Sequence, residues 1–177
     1  MLMKLFRKAI DAIFKKERSA SLDSPEDILI ALNEARYHHN FLRDEKKTIK
    51  LCDRVLRADP KNRDAMLIKA GALKYIGKRK ESLNLIHAIQ REWPDHWESY
   101  YLLGLHFFNE DEEKAMTHLT KSLDLDERFD NLVTTAQLAY FIGKPDYQQY
   151  LDKAKRMDPA RFRNYMENCW TYEVLPI

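Results

Sequence analysis

A chain of 177 residues with 45% apolar and 33% charged residues, four glycines and six prolines suits one α-rich soluble domain with a continuous core. Its formal charge of +2 is too small to imply a polyanionic partner. Cys52 and Cys169 lie 117 residues apart, which excludes a metal-ligand spacing and a disulfide framework, and both are read as buried thiols in a reducing compartment.

Taken in order, residues 1–18 set Leu2, Phe6, Ile10 and Phe14 on one stripe of an amphipathic helix. Six bases against two acids give this segment +4, so it is a candidate contact for an anionic membrane surface, a partner or a second copy of the chain. Its charges interrupt any secretory leader, and no apolar run approaches the ~20 residues that span a bilayer. The expected location is the cytoplasm, or peripherally the cytoplasmic face of a membrane.

Residues 19–24 form a polar linker. Ser24 as N-cap, Pro25 at the first helical position, and Glu26 and Asp27 in the first turn mark a helix start. From there to about Trp170 the apolar residues keep helical spacing and no strand pattern appears. Punctuation then repeats. Asp59-Pro60, Trp93-Pro94, Asp126-Glu127 and Asp158-Pro159 recur, with Pro60, Pro94, Glu127 and Pro159 separated by 34, 33 and 32 residues. Each interval has a turn inside it, at Arg43-Asp44, Gly77-Lys78, Glu110-Asp111 and Gly143-Lys144. Gly77 and Gly143 suit a left-handed helix end, Pro145 is expected to open the following helix, and Asp95 with Glu98 forms a candidate capping box. Two helices per period of about 34 residues define a helical solenoid.

At these residues the chain resembles the tetratricopeptide repeat (TPR) family, over about 29–170. The unit 97–129 carries Tyr100, Leu103, Gly104, Phe107, Ala115, Leu119 and Ser122 in the family's slots, with Glu127 in place of the closing proline. Units 29–62, 63–96 and 130–161 match less fully. Arg36 stands in a small-residue slot of the first, and in the second Lys69 replaces a leucine while bulky Ile89 takes a small slot. Tyr165 and Cys169 fit a capping helix over 160–170. The resemblance implies an all-α fold of helix-turn-helix repeats stacked into a right-handed solenoid over 25–172, preceded by the basic helix. Small residues such as Ala70, Gly104 and Ala136 would let paired helices approach closely.

The resemblance also implies a concave groove lined by the first helix of each unit. The groove-facing slots include Tyr37 and Phe41 in the first unit, with Asn33 and Glu34, and Leu67, Ile68 and Tyr75 in the second, with Lys74. Tyr101, Leu105 and Phe108, with Leu102, follow in the third, and Tyr140 and Phe141, with Val133 and Gln137, in the fourth. Part of this set, Leu102 and Phe108 above all, also suits the core between units. The aromatic and apolar character favours a partner helix or an apolar peptide over a charged tail. The lysine, arginine and asparagine clamp by which some members grip a C-terminal carboxylate is absent from the matching slots.

Residues 43–80 hold thirteen Lys/Arg against five acids, and residues 110–130 hold eight acids against three bases. Such asymmetry orients a charged partner or a head-to-tail neighbour. No nucleic-acid-reading motif accompanies the basic stretch. His38-His39 lacks the i, i+4 spacing of a zinc site, and no phosphate loop or nucleophile elbow is present. The expected activity is therefore non-catalytic, without cofactor or metal. An adaptor, a chaperone or an inhibitor fits, and a membrane-tethered assembly component is the alternative.

Overall fold

The computed structural model describes residues 22 and 24–170. The segment 1–18, with Leu2, Phe6, Ile10 and Phe14, lies outside the described residues. Among those described, all regular structure is helical, in two compact units that divide between Ile89 and Gln90.

The first unit holds α1 (Pro25–Tyr37), α2 (Glu45–Ala58), α3 (Arg63–Tyr75) and most of α4 (Arg79–Glu92). At α1, Ser24 caps the backbone N–H of Asp27 while the Asp27 carboxylate accepts from the Ser24 N–H at 3.1 Å, a reciprocal capping box. Asp44 and Asn62 cap α2 and α3 in the same way, at 3.1 and 3.0 Å. Ala31, Leu32 and Ala35 of α1 pack with Leu51, Cys52 and Val55 of α2 and Ala65 of α3. The two charges that break the repeat pattern each meet a counter-ion. Arg36 pairs with Asp64, and Lys69 reaches Asp53 at 2.6 Å. The charged residues in these slots thus form salt bridges between helices. In α4, Ser82 fits a small slot and donates to the Ala70 carbonyl at 2.7 Å, and Ile89 is fully buried.

The turns follow the sequence, with a variation in the first. Gly77 takes φ +77°, and the Lys78 N–H returns to the Leu73 carbonyl at 2.9 Å, a Schellman closure. After α1, one extra residue is absorbed in a π-helical turn, His38–Leu42, and the Asp44 N–H reaches the His38 carbonyl at 3.1 Å. Arg43, not a glycine, takes the left-handed position there, at φ +52°.

The second unit holds α5 (Trp97–Phe107), α6 (Glu112–Leu125), α7 (Phe129–Phe141), α8 (Tyr147–Met157) and α9 (Pro159–Tyr165), closed by a π turn over Met166–Trp170. Gly104 of α5 packs directly against Leu119 of α6. Phe107 stacks on His118 with ring centres 5.7 Å apart. Ser122 donates to the Trp97 carbonyl at 3.0 Å and accepts from Asn131, which is fully buried. The Asn131 side-chain Oδ1 in turn accepts from the Arg128 N–H at 2.8 Å, which fixes the start of α7. Phe162 and Tyr165 of α9 cover the cluster of Phe129, Leu132, Val133 and Ala154, as a capping helix must.

Two helix starts differ from expectation. His96, not Asp95, is the N-cap of α5 and makes no side-chain cap, because a turn at Pro94-Asp95 precedes it. Pro145 stands in the turn before α8, which begins only after Asp146.

Candidate partner-binding surface

In the first unit, the π turn sets the surface. Tyr37 is half-buried, with its ring 5.6 Å from that of Phe41, which is 74% exposed. Behind them lies a closed polar group. Glu34 is buried and paired with Lys47 at 2.7 Å, and His38 lies 2.6 Å from the same ammonium. An ammonium only donates, so His38 accepts through Nε2. His39 meets Glu45 at 2.7 Å, and its ring stands edge-on to Tyr75 at 5.3 Å. Tyr75, at the end of α3, is 60% exposed. The Arg43 guanidinium lies over its ring at 5.1 Å and the Lys74 ammonium at 5.8 Å. The Lys74 pKa is lowered, chiefly by burial and then by the charge of Arg79.

Of the other first-unit candidates, Asn33 is exposed, and Ile68, Leu67 and Glu34 are covered to differing degrees. Ile68 is half-buried and packs on the core of α1 and α2. Leu67 is 4% exposed, so it offers a partner no surface. Glu34 is closed in as well, because its place on α1 faces Lys47 of α2.

In the second unit, Tyr101 is half-buried, with its hydroxyl 3.2 Å from Thr134 Oγ1 and its ring 6.2 Å from that of Trp97. Tyr101 and Phe108 both lean on the cluster of Ala115, Met116, Leu119, Leu138 and Ala139. Leu105 is half-buried. Leu102 and Val133 are buried and leave the surface set. Tyr140 stands edge-on to Tyr147 at 5.2 Å, and Phe141 beside it is 67% exposed.

A pattern emerges that the slot-by-slot reading missed. Phe41, Tyr75, Phe108 and Phe141 each precede their mid-repeat turn by two residues, so each of the four repeats carries an aromatic at the same place. Phe41 and Tyr75 in the first unit, and Phe141 in the second, keep most of their ring surface in water. Packing therefore does not account for the recurrence at three of the four positions. The spacing to the turns was the available signal. The flanking cation Arg43 was also missed, because only the left-handed turn brings it over Tyr75.

Electrostatics elsewhere are those of helix ends and closed cores. The Asp111 carboxyl pKa is lowered, first by its hydrogen bond from the Lys114 side chain and then by that from the Lys114 backbone, as it caps α6. Burial pushes the Cys52 thiol up to about 12, with a smaller contribution from Asp53. Among the described residues no three His, Cys, Asp or Glu side chains converge as a metal site requires, and no helix is long and apolar enough to cross a membrane.

No protein-family model matches the sequence, and no curated protein matches it either. Solved structures do match. MamA, residues 41 to the end, from Desulfovibrio magneticus RS-1 is similar at 20% identity and a TM-score of 0.60, over 89% of this chain and 96% of that one. TTC0263, a thermophilic TPR protein in Thermus thermophilus, is similar at 14% identity and a TM-score of 0.68, over 81% of each chain. YrrB, described as a TPR protein with an unusual peptide-binding site, is similar at 14% identity and 0.57, over 90% and 87%. At these identities the likeness establishes the fold, an all-α repeat of the tetratricopeptide kind.

Proposed function

We propose that this tetratricopeptide-like chain is a non-catalytic protein-interaction module, which holds a partner helix or apolar peptide on the first helices of its units. The observation that carries the reading is the aromatic two residues before each turn, with Phe41, Tyr75 and Phe141 largely in water. Exposed aromatics at one repeated place are the residue type that anchors interfaces. Tyr37 in the first compact unit, and Tyr101, Leu105, Phe108 and Tyr140 in the second, are half-buried and add contact area beside the exposed rings of their own unit. An adaptor, a chaperone shielding an apolar segment and an inhibitor of one partner all use such a surface. The peptide-binding description of the similar YrrB structure agrees with it.

The test is affinity capture from the source cell with the full chain and with a Phe41→Ala, Tyr75→Ala, Phe141→Ala variant. These rings are exposed, so helical content by circular dichroism is expected to match wild type. A specific protein retained by the wild type and lost by the variant supports the reading; equal retention by both moves the site elsewhere.

The basic, apolar stripe of residues 1–18 favours a second reading, a peripheral component tethered to membrane through Leu2, Phe6, Ile10 and Phe14. Flotation on anionic liposomes, with and without residues 1–18, separates the two. Equal behaviour of both forms would discard the tether.

A further inference from the structure

Two cations that have no carboxylate partner among the described residues lie against the ring of Tyr75. Arg43 and Lys74 approach its ring from 5.1 and 5.8 Å, and neither forms an ion pair there. Nearby acids are otherwise engaged: Asp44 caps α2, Glu45 binds His39, and Glu81 binds Lys78 at 2.8 Å. Lys74 is only partly exposed, and the charge of Arg79 acts on it as well. A partly buried ammonium beside a second cation is unfavourable until an anion arrives. Around this pair, Phe41 on the π turn and Ile76 after Tyr75 are exposed apolar side chains, and residues 43–80 carry thirteen bases against five acids.

We propose that this corner of the first unit binds an acidic, apolar peptide segment. A partner Asp or Glu side chain is received by Arg43 and Lys74 beside the Tyr75 ring, and an adjoining aromatic or aliphatic side chain packs on Phe41 and Tyr75. The inference rests on the protein-binding reading above and narrows the chemistry of its partner. A carboxylate matches the donor groups of both cations and offsets the charge of Arg79 on Lys74. A peptide is favoured over single-stranded nucleic acid, which needs a track of available cations along its backbone. Here Arg43 and Lys74 converge on one aromatic ring rather than along a track, and Lys47, Lys69 and Lys78 are engaged by Glu34, Asp53 and Glu81.

The experiment selects random short peptides on the full chain by display, then measures synthetic copies by fluorescence anisotropy, with oligo(dT) run in parallel. Enriched peptides are expected to carry Asp or Glu beside an aromatic or aliphatic residue. Their affinity is expected to fall about tenfold or more on an Arg43→Glu, Lys74→Glu variant, and to recover when the peptide acids become lysines. An Arg43→Gln, Lys74→Gln variant, expected to show a smaller loss, serves if the charge reversal does not fold. Enriched peptides without acids, no enrichment at all, or unchanged affinity on the folded variants would overturn the proposal. So would oligo(dT) binding more tightly than any peptide and being lost on the same variants. Peptides that need Phe41 and Tyr75 but ignore the charge changes would overturn this inference alone and leave the protein-binding reading standing.

Discussion

A Cβ built on Gly104 would stand 2.6 Å from both Cγ and Cδ2 of Leu119, closer than side chains pack. Leu119 is fully buried and cannot swing into solvent. The contact between α5 and α6 therefore requires a glycine here. Gly104→Ala is expected to lower stability by about 1–3 kcal/mol through overpacking. Thermal melts check this, and wild-type stability in the variant would remove Gly104 from the helix contact. Adding Leu119→Ala should cost less than the sum of the two single changes, because each relieves the other.

Gly143 requires a glycine for a different reason. A Cβ there meets nothing within 4 Å, yet φ is +71°. Gly143→Ala is expected to cost roughly 1–2 kcal/mol in backbone strain alone. Gly143→Asn should cost less, since asparagine visits this conformation more readily. Chemical denaturation of both variants tests the order, and equal stability of all three forms would contradict it.

Asn131, itself fully buried, joins α6 to α7 by polar contacts. It donates to Ser122 Oγ at 3.1 Å and to the Asp126 carbonyl at 3.0 Å, and accepts from the Arg128 N–H. Asn131→Ala strips three partners at once and is expected to destabilise by about 2–4 kcal/mol, beyond the loss of one ordinary hydrogen bond. Hydrogen exchange should show the start of α7 opening first. A uniform effect across the chain, or none, would count against a local role.

Cys52 predicts a pH dependence. Its thiol ionises at 9.0 ordinarily and at about 12 in the folded chain. Below pH 9 both states keep the proton and it contributes no slope. Between pH 9 and about 12 the unfolded chain releases the proton while the folded chain holds it, so stability falls as pH rises. Cys52→Ala should lose this alkaline component, by up to about 1.4 kcal/mol per pH unit, in denaturation curves across that window. Mapped alkylation at pH 8 should label Cys52 only after unfolding. Prompt labelling in the folded protein would contradict its burial.

The helical repeat was legible because it depends on local chemistry. Ser24-Pro25 opens a helix wherever it stands, Gly77 and Gly143 end one, and the spacing of Pro60, Pro94 and Pro159 carries the period. Gly104 could be assigned to a helix contact because a small residue in that slot has one geometric use. The sequence alone thus determined the fold class, the turns and the aromatic content of the first helices. Tertiary structure decided which of those side chains remain at the surface. Leu67 and Phe41 both stand in groove-facing slots of the repeat pattern, yet one is in the core and the other in water. Exposure depends on what packs across from a residue, and neighbours distant in sequence set that. The same holds for Arg36 and Lys69, which look like defects until Asp64 and Asp53 are seen beside them. It holds for Arg43, whose place over Tyr75 follows from a left-handed turn after an inserted residue, a geometry for which Arg43 itself gives no local signal.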